Sequence, residues 1–481
     1  MGLLERFLAI LPEVKGPIEK KLSFKTKLKW TLLILALFFV LGVIPLYGLG
    51  ENALTNFEQL SIILGASFGS ITSLGIGPIV TASIVLQLLT GSGLLKLDTT
   101  TPEGRKKFQG LQKIMIFFFI IFEAMVYVLM GGLAPSTNLP LSTFRVAQIF
   151  LIIQLFIGGI LIMYMDEVIN KWGFGSGISL FIAAGVSSQT FIRAFSPLTA
   201  GGIFALGSSE APVGQVWVFF VSLIGRNVTG ALLALSAILA TICIFLFSVY
   251  FQAMKVEIPL SFGRIRGHGI RWPLRFLYTS NIPVILIAAL LANFQLLARL
   301  LQTAAEKPEA SAFIVTLSQK IIGQFVGNVP AGNGFVAWIF PTQIIQNLIT
   351  GSFSAINVAH AITYILIMVL GSVIFSYFWV QTSGMDAASQ ARQIMASGLQ
   401  IPGFRRDQRV LEQILKRYIT PLTIMGGITI GFLSASADLL GALTSGTGLL
   451  LTVMIVYKLY EDIAQQHMMD MYPALRKVME K

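Results

Sequence analysis

The sequence predicts an all-α polytopic membrane protein with ten transmembrane helices. Hydrophobic residues make up 55% of the 481 residues and charged residues only 12%, a composition typical of a chain that lies mostly in lipid. The mean hydropathy of +0.79 agrees with this class. A helix that crosses a bilayer takes about 20 apolar residues. Ten charge-poor windows give the predicted spans: residues 31–46, 59–95, 114–132, 146–165, 176–192, 228–254, 276–298, 358–380, 418–437 and 439–457.

A short amphipathic pattern precedes the first predicted span, within residues 1–29. Leu4, Phe7, Leu8 and Leu11 recur at helical spacing on one side. We therefore expect a cytoplasmic helix that lies in the membrane interface. No small-residue cleavage site follows it, so the pattern is not that of a signal peptide.

The second span is broken in its middle. It holds no charged residue, yet Gly65, Gly69, Gly75, Gly77 and Pro78 interrupt it. A plain membrane helix does not need so many helix breakers, so the window predicts two half-helices that meet inside the bilayer. Irregular backbone at membrane depth is tolerated only where it lines a cavity or is wrapped by protein. We therefore expect the chain to form a path through the membrane.

Basic residues lie mainly on alternate connections between the spans. Of the 34 Lys and Arg residues, 28 fall on the two terminal segments and on every second loop, and six fall on the other loops. Cytoplasmic loops carry an excess of Lys and Arg, so we predict a multi-pass protein of the cell membrane with both termini cytoplasmic.

The ten predicted spans divide into two halves, residues 30–195 and 228–460, joined by an external loop at 196–227. Because each half holds five spans, the second half is inverted relative to the first. This is the arrangement of an inverted repeat with a functional path between its halves. Sequence similarity between the halves is not visible. A cytoplasmic tail at 461–481 follows the last span.

Two cytoplasmic loops, at 255–275 and 382–417, are rich in arginine. One interpretation is that they only set topology. The other is that they dock an acidic or RNA-bearing partner, because the guanidinium binds phosphate and carboxylate through two parallel hydrogen bonds. The candidate docking residues are Arg264, Arg266, Arg271, Arg405 and Arg406.

Catalytic and cofactor motifs are missing from the sequence. It contains no Walker loop, no GxGxxG and no HExxH, and its three histidines have no ligand spacing. The one cysteine, Cys243, excludes a disulfide between cysteines of this chain. We expect a protein that is not an enzyme and that holds neither a cofactor nor a metal.

Glu123 is the one clearly ionisable residue that the windows put deep in a span. It is either neutral and structural, or it faces a polar seam with Thr81 and Asn293. The broken second span also fits an ion-coupled secondary transporter for a small solute, which uses a discontinuous helix. Such a transporter would show several coordinating charges at the midplane, and the windows do not contain them.

Five sequence motifs resemble those of SecY, the channel subunit of the protein translocon, in its archaeal form. They follow the family's order along the chain. They are GIGPIVTASIVLQLL (75–89), GFGSGISLFIAAGV (173–186), YTSNIPVILIAALLANFQLL (278–297), IPGFR (401–405) and GTGLLLTVMIVYKLYE (446–461).

The resemblance implies an hourglass pore with an aliphatic constriction. On the matching positions the ring residues would be Ile76, Val80, Ile178, Ile182, Ile285 and Leu451. Branched aliphatic side chains would form a deformable gasket that holds back hydrated ions. A half-helix at about 57–70 would fill the external funnel as a plug. Its residues would include Phe57, Leu60, Ile62, Ile63, Leu64, Gly65 and Phe68.

The same resemblance implies the function and the partners. Unfolded secretory chains would cross through the pore, and apolar segments would leave sideways into membrane lipid. The exit, or lateral gate, would have the second and third spans on one side and the seventh and eighth on the other. Thr81, Glu123 and Asn293 would bridge the seam between them. Expected partners are two small membrane subunits of SecE and Sec beta type, a ribosome docked on the Arg loops, signal sequences and nascent polypeptides.

Overall fold

The protein is mainly α-helical in its computed structural model. The structure describes residues 13–18, 22–50, 69–91, 94–95, 101–129, 133–136, 140–199, 203–205, 211–262, 269–279, 282–306, 311–326, 329–331, 334–396, 399–400 and 407–471.

Fifteen helices occur in these described residues. They are α1 Phe24–Val43, α2 Gly77–Gly91, α3 Pro102–Leu129, α4 Leu141–Trp172, α5 Gly177–Phe195, α6 Gln215–Ile224, α7 Val228–Ala253, α8 Ile282–Ala305, α9 Ala312–Thr316 with a π-helical turn at Leu317–Ile322, α10 Phe335–Ile339, α11 Ile344–Ile349, α12 Ala355–Thr382, α13 Ala387–Ala396, α14 Gln408–Leu439 and α15 Gly446–Met471. Five short strands accompany them: β1 Lys255–Phe262, β2 Gly269–Arg275, β3 Phe325–Val326, β4 Val329–Pro330 and β5 Leu399–Gln400.

Eight of the described helices are long and apolar enough to cross a membrane: α1, α3, α4, α5, α7, α8, α12 and α14. Helix α2 is apolar but has only 15 residues, since the residues just before it form turns. Helix α15 begins with an apolar run and then carries Lys458, Glu461 and Asp462. These two helices occupy the windows of the second and tenth predicted spans.

Polar side chains cap the starts of two long helices. The side chain of Ser23 accepts a hydrogen bond from the Thr26 amide at the start of α1, and that of Asn227 accepts one from the Gly230 amide at the start of α7. Each cap satisfies an amide that has no partner within the first turn of its helix.

Close helix packing depends on small residues at two positions of α14. A Cβ on Gly431 would lie 2.7 Å from the carbonyl oxygen of Met368 in α12, and one on Gly427 would lie 2.9 Å from Ser376 Oγ. Because the two glycines are four residues apart, they lie on one face of α14. Small residues at this spacing let two membrane helices approach closely.

The two halves of the chain meet on two sides. Helix α5 packs against α15 on one side, and α2 packs against α8 and α12 on the other. One large apolar core joins residues of nearly all the long helices. The ring and seam residues predicted from the sequence lie where these helices converge.

Two features of the fold were not expected from the sequence. The loop at 255–275, predicted to be cytoplasmic, contains the β1–β2 hairpin, and the loop at 196–227, predicted to be external, contains α6. The predicted interfacial helix is not tested, because residues 1–12 lie outside the described part. Within the described segment 13–18, Glu13 binds Lys171 at the end of α4, and this contact lowers the pKa of the Glu13 carboxyl.

Candidate functional site

The six predicted ring residues lie in one apolar cluster contributed by four parts of the fold. Five of them, Ile76, Val80, Ile182, Ile285 and Leu451, are 2–9% exposed. The sixth, Ile178, is partly buried and packs against the same cluster. Val80, Ile178 and Ile285 also line one cavity, so side chains from α2, α5 and α8 come close together at an apolar centre.

Two separate cavities lie on opposite sides of this centre. The first has a volume of about 610 Å³ and extends to residues at the helix ends that are predicted to face the cytoplasm, such as Phe174 and Lys458. The second has a volume of about 530 Å³ and lies among the opposite helix ends and the segment 329–347.

The lining of the cavities locates the constriction along two helices. On α8 the first cavity is lined by Ile285 and Leu286, and the second begins at Ala288. On α15 the second cavity reaches Thr447 and the first begins at Met454, so Leu451 lies between them. The narrow zone is thus at the level of the predicted ring.

Ile76 differs from its expected setting. It precedes α2, at the end of a series of turns over residues 71–76, whereas the second-span motif suggested a position within the helix. Its carbonyl oxygen accepts hydrogen bonds from the amides of Ile79 and Val80 at 3.1 and 3.0 Å. Pro78 fits here because the first turn of a helix does not need its missing amide.

Polar contacts connect three helices at the predicted seam. Asn293 Nδ2 on α8 donates a hydrogen bond to Thr81 Oγ1 on α2 at 3.1 Å. Thr81 Oγ1 lies 3.1 Å from Glu123 Oε1 on α3 and 2.9 Å from the Gly77 carbonyl oxygen. The hydroxyl has one proton, so it donates a hydrogen bond to one of these two oxygens at a time. The structure therefore brings Thr81, Glu123 and Asn293 together at the place where α2 faces both halves.

The first cavity contains polar residues that were not predicted from the sequence. Gln112 Nε2 on α3 donates to Ser83 Oγ on α2 at 2.8 Å. Gln87 and Gln252 also line the cavity, and the Oε1 atom of each is buried without a hydrogen-bond partner among the described residues. Ser83 and Gln87 are four residues apart, so they lie on one face of α2. This spacing in the sequence could have predicted a polar face on the helix.

The second cavity contains ionisable residues that lie outside the predicted windows. Arg299 of α8 is 6% exposed, and Asp438 is the residue before the last one of α14. Asp438 accepts hydrogen bonds from the hydroxyl of Tyr364 at 2.8 Å and from the amide of Gly446. The windows missed Asp438 because it lies between two predicted spans, where α14 extends beyond its window.

A single small sheet connects the two Arg loops. Strand β1 pairs antiparallel with β2, and Ser261 and Phe262 of β1 pair with β5 of the second loop. An apolar cluster that includes Ile258 and Leu274 packs the sheet against α13 and α14. The two loops are thus held on one platform.

Arg271 is exposed on this platform. Its Nη1 atom donates to Glu257 Oε2 at 3.2 Å, and this hydrogen bond, together with one from Lys255, lowers the pKa of the Glu257 carboxyl. The other four candidate docking residues, Arg264, Arg266, Arg405 and Arg406, lie outside the described residues.

The predicted plug also lies outside the described residues. This applies to Phe57, Leu60, Ile62, Ile63, Leu64, Gly65 and Phe68. The described residues contain no group of three or more His, Cys, Asp or Glu side chains arranged to hold a metal ion.

Comparisons with known proteins give a consistent family. A family model described as SecY matches residues 70–460, and one described as the plug domain of Sec61p matches residues 37–69. The protein translocase subunit SecY of Methanothermobacter thermautotrophicus is 45% identical over 98% of this chain and 97% of its own length. That of Pyrococcus furiosus is 42% identical over 99% and 97%.

Solved structures agree with this result. One described as "The structure of a protein conducting channel" has a TM-score of 0.79 and 37% identity, and the match covers 98% of this chain and 99% of that one. Another, described as "Sec61 in the Canine ribosome-channel complex from the endoplasmic reticulum", has a TM-score of 0.76 with the same identity and coverage. The alternative of a secondary transporter gains no support from these matches. The chain belongs to the SecY family of protein-conducting channels.

Proposed function

We propose that this chain is the pore subunit of a protein translocase, which passes unfolded secretory polypeptides across the membrane and releases apolar segments sideways into lipid. The observation that carries the proposal is the apolar constriction between two cavities, which lies at the level of Ile285 and Leu451. A channel for polypeptides must pass any side chain, so it cannot depend on specific polar contacts.

We infer that the six ring residues form the seal at this constriction. Aliphatic side chains do not replace the hydration shell of an ion, so an ion that enters the ring loses hydration without compensation. The same side chains yield to a polypeptide, because they are held by packing and not by hydrogen bonds.

The proposed architecture has ten spans in two inverted halves, with α2 as the second span and α15 as the tenth. Helix contacts support it. The pairs α2–α3, α3–α4, α4–α5, α1–α4 and α1–α5 of the first half correspond to α8–α12, α12–α14, α14–α15, α7–α14 and α7–α15 of the second. An inverted repeat would produce this correspondence.

The plug remains a proposal for residues of about 57–70. The match of residues 37–69 to the plug domain of Sec61p supports it. Gly65, Ala66, Ser67 and Gly69 are small, and glycine and serine favour helix weakly. Such a segment would leave the external funnel at low cost when a polypeptide enters.

We propose that the seam at Thr81 is the lateral gate. Hydrogen bonds between membrane helices contribute about 0.6 kcal/mol on average. The hydrogen bond from Asn293 of α8 to Thr81 of α2 crosses this gate, whereas Glu123 of α3 contacts Thr81 from the same side. The bond from Asn293 therefore favours a closed seam and is weak enough for an apolar signal sequence to open it.

The sheet formed by β1, β2 and β5 is the proposed ribosome-docking surface. A similar chain was solved in a ribosome-channel complex, which supports a ribosome as partner. Arg271 is exposed there and can reach phosphate groups. Small subunits of SecE and Sec beta type are further proposed partners. The protein is proposed to lie in the cell membrane with both termini cytoplasmic, and synthesis or another machine would supply the energy.

A cross-linking experiment tests the function. In a Cys243→Ala background, Leu451→Cys should form a disulfide with a cysteine in a polypeptide stalled during translocation. Val456→Cys is the matched control, because Val456 is 51% exposed on the same helix whereas Leu451 is 4% exposed in the ring. Equal cross-linking at both positions, or none at Leu451→Cys during transport, would contradict the proposed path.

A further inference from the structure

Among the described residues, α6 is a short helix that is both apolar and exposed. Its sequence QVWVFFVSLI contains no charged residue, and none of its ten residues is buried. Phe220, Leu223 and Ile224 are 52%, 60% and 84% exposed. Contiguous apolar surface of this kind is unfavourable in water. We therefore infer that α6 contacts lipid.

Helix α6 runs antiparallel along the first turns of α7. A Cβ on Gly230 of α7 would lie 2.9 Å from the Oγ atom of Ser222 in α6. Near the start of α6, Trp217 Nε1 donates a hydrogen bond to the carbonyl oxygen of Phe195 at 2.8 Å. The start of α6 is thus level with the end of α5, and its end is level with the start of α7.

The length of α7 gives the depth of this hairpin. Its 26 residues span about 39 Å, whereas the hydrocarbon core is about 30 Å thick and the bilayer with its headgroups about 40–45 Å. With Ala253 at one membrane surface, next to Lys255, the turn at residues 225–227 lies among the headgroups of the opposite leaflet. Helix α6 then extends about 15 Å back into that leaflet.

An apolar cavity of about 200 Å³ lies between α6 and α7. Phe219 and Leu223 line it from α6, and Ala231 and Leu235 line it from α7. Exposed side chains of both helices surround it, so the cavity is continuous with the lipid-facing surface.

Arg226 lines the same cavity from the turn between the two helices. Its φ is 56°, and it is the one non-glycine with a positive φ among the described residues. Glycine or asparagine adopts this conformation more easily, and one of each flanks Arg226 in the sequence. An arginine kept in a strained conformation indicates a use for its guanidinium.

We propose that the cleft between α6 and α7 binds one phospholipid of the leaflet opposite the β1–β2 hairpin, with a hydrocarbon chain in the cavity and the phosphate on the Arg226 guanidinium. The exposed apolar surface around the cavity matches lipid chains, and the guanidinium complements a phosphate at headgroup level. The proposal does not depend on the transport function.

The test uses the full chain in phosphatidylcholine nanodiscs that contain a photoactivatable phosphatidylglycerol. A photoactivatable diacylglycerol with the same chains, which lacks the phosphate, is the second probe. We expect both probes to label peptides of α6 and α7. Arg226→Gln should lower labelling by phosphatidylglycerol about fivefold, the effect of one basic residue at a lipid surface, and leave labelling by diacylglycerol unchanged.

Two further variants separate binding from folding. Ala231→Leu fills the cavity and should lower labelling by both probes. Arg226→Gly relieves the strained backbone, so it should raise the unfolding temperature in detergent while it lowers phosphatidylglycerol labelling. Arg145→Gln is the matched control, since Arg145 is exposed at the same side of the membrane and outside the cleft.

Several outcomes would overturn the proposal. One is wild-type phosphatidylglycerol labelling in Arg226→Gln, and another is an equal loss in Arg145→Gln. Competition by inorganic phosphate would mean that a free anion, not a lipid, occupies the turn. Protection of the α6 peptide by a co-purifying protein instead of lipid would assign the surface to a subunit interface.

Discussion

The Thr81→Val substitution isolates the polar contact across the proposed lateral gate. Valine has nearly the shape of threonine but lacks the hydroxyl that accepts from Asn293 and faces Glu123. Only the Asn293 bond joins the two sides of the gate, since Glu123 lies on the same side as Thr81. An interhelical hydrogen bond in membranes contributes about 0.6 kcal/mol, so the closed seam loses about 0.6 kcal/mol. This free energy corresponds to a change of about threefold in the ratio of open to closed seams.

The expected effect is a lower hydrophobicity threshold for sideways release. A segment can partition into lipid only after the seam opens. A smaller free-energy cost of opening therefore makes sideways release more favourable for every segment. One leucine at the centre of a segment contributes about 0.3 to 0.6 kcal/mol. The loss of about 0.6 kcal/mol should therefore reduce the threshold by about one to two leucines.

Proteoliposomes with the purified channel provide the assay. Test polypeptides carry a central segment with an increasing number of leucines among alanines, and protease protection measures the inserted fraction. Thr90→Val is the matched control, because the Thr90 hydroxyl on α2 bonds to carbonyl oxygens of its own helix. A Thr81→Val curve that coincides with the Thr90→Val curve, or that moves to more leucines, would refute the reasoning.

Three other predictions concern the seal, the docking surface and the helix packing. Ile182→Gly should raise ion efflux from proteoliposomes with an idle channel several-fold. Ile182→Leu should not raise the efflux, because it keeps the apolar volume. Equal efflux in the two variants would contradict the proposed seal. Arg271→Glu should weaken ribosome binding at low salt more than at high salt. Arg392→Glu, at an exposed position of α13, is the charge-matched control that should have a smaller effect. Gly431→Ala should lower the free energy of unfolding by about 1–3 kcal/mol because its Cβ meets the α12 backbone. Gly185→Ala, where nothing lies within 4 Å, should not, and an equal loss in thermal or denaturant unfolding would argue against close packing at Gly431.

The membrane class and the main spans could be predicted from the sequence. Backbone groups in lipid must be satisfied within their own segment, so each span is a helix that the local hydropathy reveals. For this reason the eight long apolar helices lie at predicted windows. The channel function came from the resemblance of five motifs, and the comparisons confirm the family and the function. The roles of the ring, plug, gate and docking residues stay predictions.

Other features required the tertiary structure. Strand β5 pairs with β1 across more than one hundred residues, and hairpin strands in a basic loop leave no apolar window to detect. The contact of Asn293 with Thr81 joins residues 212 positions apart, so hydropathy alone left Glu123 with two interpretations. Helix α6 was missed because its ten residues are too few for a span, and its position follows only from packing on α7. Local composition decides which segments enter lipid, whereas long-range packing decides which side chains meet there.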